Sequence, residues 1–176
     1  MLRILYFLLY FYYVHCFTIF DFYPKPLYGL DYRCKDGSTT SDLKKEAPIH
    51  FILGIDSFSN LPENKTFLNN CYFLSFNQID LTLNKNEFNL IQINNINFND
   101  ITKPNLFLDI LKPYGYLYIR QEKNVENSYF KMLQRNDLHI KLGDSSSLFK
   151  KSFHRLKNIE NTNHNIIVYQ KRILQI

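Results

Sequence analysis

The sequence lacks the cysteine and histidine patterns that build metal sites and disulfide frameworks. Its three cysteines, Cys16, Cys34 and Cys71, form no C-x-x-C pair, and no two of its five histidines stand four residues apart. Structural zinc sites and disulfide-stapled domains depend on such spacings. We therefore expect neither a structural metal nor a disulfide framework.

Long runs of one charge are also missing. The formal net charge is +5, from 21 Lys and Arg against 16 Asp and Glu, and the basic residues form only short pairs such as Lys44-Lys45 and Lys150-Lys151. Nucleic-acid-binding domains usually gather their basic residues on one face or along one helix. The scattered excess indicates a solvated surface and gives no specific nucleic-acid signal.

An apolar run opens the chain. Residues 1–20 read MLRILYFLLYFYYVHCFTIF, and about 20 such residues can span a bilayer as a helix. A signal anchor or signal peptide is one interpretation, although no small-x-small cleavage site is evident. The alternatives are a buried N-terminal element or a mis-predicted gene start. We assign residues 1–21 to a hydrophobic leader and 22–176 to one domain, which is membrane-anchored if the leader is a targeting segment and cytoplasmic if it is not.

Beyond the leader, short apolar runs alternate with helix-length intervals. This alternation predicts an α/β domain with a Rossmann-like, doubly wound and mostly parallel sheet. The predicted strands are 28–32, 49–55, 71–76, 88–93, 116–119 and 166–169, and the predicted helices are 38–46, 128–135 and one over 107–111 that stops before Pro113. Ser38, Thr39 and Thr40 are the candidate N-caps of the first helix.

Glycine is scarce where a nucleotide-binding turn needs it. The first strand leads into Leu-Asp-Tyr-Arg-Cys-Lys-Asp-Gly, residues 30–37, and the second strand is followed by Asp56. In a nucleotide-binding βαβ unit, glycines let the turn approach the ligand and an acid after the second strand meets the ribose hydroxyls. Only Gly37 remains here, because Arg33 and Lys35 fill the other places.

Four fragments in order resemble class I S-adenosylmethionine-dependent methyltransferases over roughly residues 28–172. Residues 30–37 resemble that family's Leu-Asp-hydrophobic-Gly-Cys-Gly-x-Gly loop, and residues 52–56 resemble its second strand. Residues 88–91, Phe-Asn-Leu-Ile, resemble its Phe-Asp-hydrophobic-hydrophobic fourth strand, with Asn89 in place of the acid. Residues 111–115, Leu-Lys-Pro-Tyr-Gly, resemble its Leu-Lys-Pro-Gly-Gly segment. The resemblance implies an antiparallel C-terminal strand in a hairpin at the sheet edge.

The resemblance also implies a cofactor, S-adenosylmethionine, and a set of residues near it. Asp56 would hold both ribose hydroxyls and Asn77 would bond the adenine edge; alternatively, Asp56 caps a helix. The cofactor-binding candidates are Asp31, Cys34, Gly37, Asp56, Asn77 and Gln78. No catalytic base is identified, because methyl transfer from a sulfonium depends chiefly on holding the acceptor close and aligned.

Arg33 and Lys35 depart from the family pattern and leave two functions open. Side chains at these positions take away the positive-φ freedom and the space of glycine, which could impair cofactor binding. One function is methyl transfer to an unidentified small molecule or protein. The other is a methyltransferase-like binding domain without catalysis. A nicotinamide enzyme fits less well, because the Leu-Lys-Pro-x-Gly segment does not belong to that pattern.

Overall fold

The structure is a computed structural model that describes residues 25–61, 69–76, 83–137 and 142–173. The predicted leader, residues 1–21, and the candidate ligands Asn77 and Gln78 lie outside these ranges. Within them, no helix is long and apolar enough to cross a membrane.

Seven strands of the described chain form one sheet in the order β3-β2-β1-β4-β5-β7-β6. Strands β1 to β5 pair in parallel, whereas β7 runs antiparallel to both of its neighbours. The strands are β1 Tyr28–Tyr32, β2 Phe51–Asp56, β3 Cys71–Ser75, β4 Phe88–Asn94, β5 Leu111–Glu122, β6 Phe153–Glu160 and β7 His164–Lys171. The predicted mostly parallel sheet with an antiparallel C-terminal strand is confirmed, and that strand forms the edge hairpin with β6.

Helices pack on both faces of the sheet. They are α1 Ser38–Glu46, α2 Phe98–Thr102, α3 Asn105–Ile110, α4 Ser128–Arg135 and α5 Ser147–Ser152, with 3₁₀ turns at Phe58–Asn60 and Gly143–Ser146. One core cluster joins Ile91 and Leu117 of the sheet to Phe107, Phe130 and Phe149 of α3, α4 and α5. A second cluster lies on the other face, under Leu43 of α1. Burying each such side chain stabilises the fold by about 1.5–3 kcal/mol.

The segment before β5 differs from its prediction. The predicted helix was expected to continue to residue 111, but α3 ends at Ile110 and β5 begins at Leu111, before Pro113. Leu111 pairs with Phe88 and the next pair is Tyr116 with Leu90, so residues 112–115 bulge out of the ladder. A bulge accommodates Pro113, which has no N–H to donate, and Tyr114, which adopts a φ of 60°.

The start of α1 also differs. Ser38, Thr39 and Thr40 were the predicted N-caps, but the helix is preceded by Gly37, whose φ of 87° lies in the left-handed region. The Asp36 carboxylate accepts a hydrogen bond from the backbone N–H of Ser38 at 3.1 Å. Thr39 and Thr40 therefore lie inside the first turn, where their hydroxyls are available for other partners.

The strand order reverses between β1 and β4. Chain connections run outwards from this pair, to β2 and β3 on one side and to β5 on the other. In open α/β sheets, ligands bind outside the carboxyl ends of the strands at such a switch point, where the diverging connections leave a crevice. The carboxyl ends of β1, β2 and β4 are therefore the place to look for a functional site.

Candidate functional site

Asp31, near the end of β1, is completely buried and is surrounded by hydrogen-bond donors. Its carboxylate accepts from the hydroxyls of Thr39 and Thr40, both at 2.7 Å, and from the side-chain amides of Gln92 and Asn94, at 3.0 and 2.6 Å. Burial raises the pKa of Asp31, and the four hydrogen bonds oppose that rise. The carboxylate therefore joins α1 to β1 and β4.

The loop between β1 and α1 keeps a left-handed backbone without most of its glycines. Arg33, Lys35 and Gly37 have φ values of 62°, 54° and 87°. The backbone N–H groups of Arg33 and Cys34 donate to the Ile55 carbonyl at 2.7 and 3.1 Å, which fixes the loop against β2. A left-handed residue other than glycine costs about 1–2 kcal/mol, so contacts elsewhere must offset this strain.

Asp56, at the end of β2, faces this loop and is 5% exposed. One carboxylate oxygen accepts from the Lys35 backbone N–H at 2.7 Å. The other accepts from the Ser57 backbone N–H at 2.6 Å and from the Asn60 side-chain amide at 3.0 Å. Three of the roughly four lone-pair positions of the carboxylate are thus used within the chain. Ser57, and not Asp56, is the N-cap residue of the following 3₁₀ turn.

The Arg33 side chain extends from the end of β1 across the switch point. Its guanidinium makes two hydrogen bonds to the Asp100 carboxylate, at 2.8 and 3.0 Å, and one to the Asn95 carbonyl at 2.9 Å. It also lies over the Tyr32 ring, 4.9 Å from the centroid, within the range of a cation–π contact. A long cationic side chain therefore bridges the carboxyl end of β1, the segment after β4 and α2.

Lys35 makes a second, more exposed contact across the same edge. Its ammonium lies 2.6 Å from the Glu122 carboxylate at the end of β5, and the two side chains are 41% and 34% exposed. Solvent-exposed pairs of this kind contribute about 0.2–1 kcal/mol. Lys35 thus holds the loop much less firmly than Arg33 does.

Cys34 and Gly37, the remaining cofactor-binding candidates in the loop, contribute to its packing and its turn. The Cys34 side chain is fully buried, and burial, with the nearby Asp31 and Asp56 carboxylates, raises the pKa of its thiol. Gly37 supplies the left-handed turn into α1, and its N–H donates to the Cys34 carbonyl at 3.0 Å. A buried, protonated thiol is a poor nucleophile, so its side chain acts as a small apolar group here.

Sequence reasoning missed several polar residues that complete the crevice. Thr39, Thr40, Gln92 and Asn94 surround Asp31, and Asp100 receives Arg33. One signal was present, because Gln92 and Asn94 are polar residues at alternate positions of a strand whose other residues, except Asn89, are apolar. Asp100 had no such signal, since it follows β4 in a short helix that was not predicted.

Two concavities lie away from this edge of the sheet. One, of about 560 Å³, is bordered by α5, β6 and β7 and includes Lys150 and Arg155 in its lining. The other, of about 290 Å³, lies near the start of β4 and β5 and includes Tyr116 and Tyr118. Neither is lined by Asp31 or Asp56. We take the crevice as the candidate site because the switch point, the left-handed loop and the buried carboxylates coincide there.

No protein-family model and no curated protein matches the chain. Solved structures do match. An S-adenosylmethionine-dependent methyltransferase from Methanosarcina mazei is 16% identical, with a TM-score of 0.51 over 89% of this chain and 97% of that one. One from Aquifex aeolicus is also 16% identical, with a TM-score of 0.54 over 88% of both chains. The N-methyltransferase NodS from Bradyrhizobium japonicum is 10% identical, with a TM-score of 0.53 over 84% and 86%.

Such low identities are informative about the fold alone. The described chain forms a single seven-stranded sheet in which β1 to β5 pair in parallel and β7 is antiparallel, and the structural match to the Methanosarcina mazei protein supports a Rossmann-like methyltransferase fold. The chain has the fold of the class I S-adenosylmethionine-dependent methyltransferases.

Proposed function

We propose that the crevice at the carboxyl ends of β1, β2 and β4 binds S-adenosylmethionine and that the chain transfers its methyl group to a small-molecule or protein acceptor. One observation carries the proposal. The loop after β1 holds the left-handed backbone at residues 33, 35 and 37, although two of these are not glycine, and it brings the Lys35 N–H onto the buried Asp56 carboxylate. A simple connection between β1 and α1 does not require left-handed residues other than glycine, and backbone strain of this kind clusters at functional sites.

The residues of the crevice fit the ribose end of the cofactor. Asp56 can accept charge-assisted hydrogen bonds from two hydroxyls, and the Asn60 amide is the partner that a hydroxyl can most readily replace. Asn77 and Gln78, which lie outside the described residues, are proposed for the adenine edge. Asp31 would act through the loop, because its four hydrogen bonds fix the start of α1 relative to β4.

When bound, S-adenosylmethionine supplies an electrophilic methyl group on a sulfonium. The contribution of this chain is to bind the cofactor, align it and exclude water, which accounts for much of the rate of such displacements. An acidic or basic side chain at the reacting methyl group is not required by this chemistry. The acceptor alone then decides whether a proton must be removed.

A methyltransferase-like domain without catalysis is the second candidate. It is favoured by the internal contacts of the crevice, where Asp56 is already bonded to the loop and the Arg33 guanidinium lies against Asp100. These contacts use the groups that a ligand would need. The two candidates therefore differ in whether a ligand can replace the internal contacts.

Isothermal titration of the full chain with S-adenosylmethionine tests the proposal. We expect a Kd below about 1 mM, equivalent to about −4 kcal/mol, weakened at least about tenfold by Asp56→Ala. Asp36→Ala is the matched control, because Asp36 is exposed in the same loop and its hydrogen bonds in the described residues go to Ser38. Equal affinity in Asp56→Ala and the unchanged chain would contradict the role of Asp56.

A further inference from the structure

We infer that the Arg33 side chain is an internal occupant of the crevice and that a cationic ligand group must displace it. This inference rests on the proposed function, and it adds a mechanism that controls access to the site. We call the contact between the Arg33 guanidinium and the Asp100 carboxylate the latch. A closed latch weakens binding, because the energy of breaking it is subtracted from the affinity of any ligand that takes its place.

Hydrogen-bond acceptors surround the Arg33 guanidinium. They are the two Asp100 carboxylate oxygens and the Asn95 carbonyl, with the Asn94 carbonyl 3.4 Å from the same guanidinium nitrogen. A carboxylate with backbone carbonyls favours a positively charged donor and disfavours an anion. The group that replaces Arg33 must therefore be cationic, and S-adenosylmethionine carries both an ammonium and a sulfonium.

Asp100 keeps its position independently of Arg33. One of its oxygens accepts from the Asn97 backbone N–H at 2.9 Å, and its own N–H donates to the Asn97 side chain at 3.2 Å, which forms a capping box. Its side chain is 6% exposed. A nearly buried carboxylate that is fixed in this way needs a positive partner, so departure of the guanidinium favours entry of another cation.

Arg33 can also move away without unfolding the sheet. Its side chain is 22% exposed, and its left-handed φ is a conformation that the latch has to maintain against strain. The Lys35–Glu122 ion pair provides the comparison, because it joins the same loop to β5 without involving Asp100. Removing the Glu122 side chain should leave the acceptors at Asp100 occupied.

Titration of four full-length proteins tests the latch: the unchanged chain, Arg33→Ala, Arg33→Gly and the control Glu122→Ala. Each is titrated with S-adenosylmethionine and with adenosine, which lacks the cationic end. Arg33→Gly is included because glycine relieves the left-handed φ, so it remains folded if Arg33→Ala does not. We expect Arg33→Ala or Arg33→Gly to bind S-adenosylmethionine at least about tenfold more tightly than the unchanged chain.

Adenosine affinity should change by less than about threefold, and Glu122→Ala should match the unchanged chain for both ligands. An equal gain for adenosine would overturn the assignment of the Asp100 acceptors to a cationic group. Unchanged S-adenosylmethionine affinity in both Arg33 variants, with binding by the unchanged chain, would overturn the latch and leave the proposed function standing. No binding by any of the four proteins would overturn both.

Discussion

Replacing Arg33 and Lys35 in turn by glycine separates the strain of the loop from the ion pairs that hold it. Both residues have a left-handed φ, at 62° and 54°. Such a conformation costs an L-residue about 1–2 kcal/mol, whereas glycine loses about 0.5–1 kcal/mol more chain entropy on folding. Relief of the backbone alone should therefore stabilise either variant by about 0–1.5 kcal/mol.

The two ion pairs differ in burial, and this difference decides how much stability each glycine variant loses. The Lys35–Glu122 pair is 41% and 34% exposed, so its loss should cost less than about 1 kcal/mol. The Arg33–Asp100 pair is 22% and 6% exposed. Removing one partner of a buried pair costs about 3–5 kcal/mol, and partial exposure of Arg33 reduces this to about 2–3 kcal/mol.

We therefore expect Lys35→Gly to have the unfolding free energy of the unchanged chain within about 1 kcal/mol, and Arg33→Gly to lose about 2 kcal/mol. Urea unfolding measures the unfolding free energies of both variants. If the dependence of that free energy on urea concentration is unchanged, a shift in the midpoint concentration reports a change in stability. An Arg33→Gly protein as stable as Lys35→Gly would refute the reasoning, because the guanidinium would then contribute nothing to holding the loop.

Three further predictions concern the buried groups around the loop. In Gly54→Ala, the new Cβ would lie 2.6 Å from the Phe73 ring and 3.0 Å from the Cys34 sulfur, so urea unfolding should show a loss of about 1–3 kcal/mol. Burial raises the pKa of Asp31 above 3.8, so the folded state holds that proton more tightly than the unfolded state. The protonated Asp31 should therefore contribute its full stabilisation below about pH 4, and this contribution should be lost as the pH rises through the raised pKa of the folded state. Asp31→Asn should abolish this part of the dependence of the unfolding free energy on pH. The Cys34 thiol is buried with a raised pKa, so mass spectrometry should find it alkylated by iodoacetamide in urea but protected in the native protein, and rapid native labelling would contradict its placement.

The sequence predicted the frame of the fold because apolar periodicity determines it. Strand β1 and helices α1 and α4 have the predicted bounds. Gly37 marks the start of α1, and Phe130 and Leu133 give α4 its buried apolar face. Strand β6 was not predicted. Within the described residues it pairs with β7 alone at the edge of the sheet, and five of its eight residues are exposed, so its sequence, FHRLKNIE, has little apolar signal.

The bulge near the start of β5 could not be predicted from local preference. Pro113 normally ends a helix and the residue before it is extended, so a helix up to residue 111 was reasonable. Pairing of Leu111 with Phe88 of β4 instead draws residue 111 into the strand. Tertiary pairing outweighed the helical preference of a single terminal residue.

The loop and Asp56 were found from the sequence, but their contacts were not. Spacing placed Asp56 opposite the loop, because parallel strands bring their carboxyl ends together. That Arg33 would reach Asp100, 67 residues away, depends on side-chain packing across the switch point. The sequence could therefore indicate that the Arg33 side chain hinders close approach of a cofactor to the loop. It could not indicate that the guanidinium bonds to Asp100.

Amide chemical-shift mapping tests the central claim most directly, because it shows both whether S-adenosylmethionine binds and where. On addition of the cofactor to the full-length ¹⁵N-labelled chain, we predict the largest shifts at residues 33–37, at Asp56 and Ser57, and at Asn95. These backbone groups form or border the crevice. Shifts confined to the concavity between α5 and β6, or no shifts in the unchanged chain and in Arg33→Gly, would contradict the account.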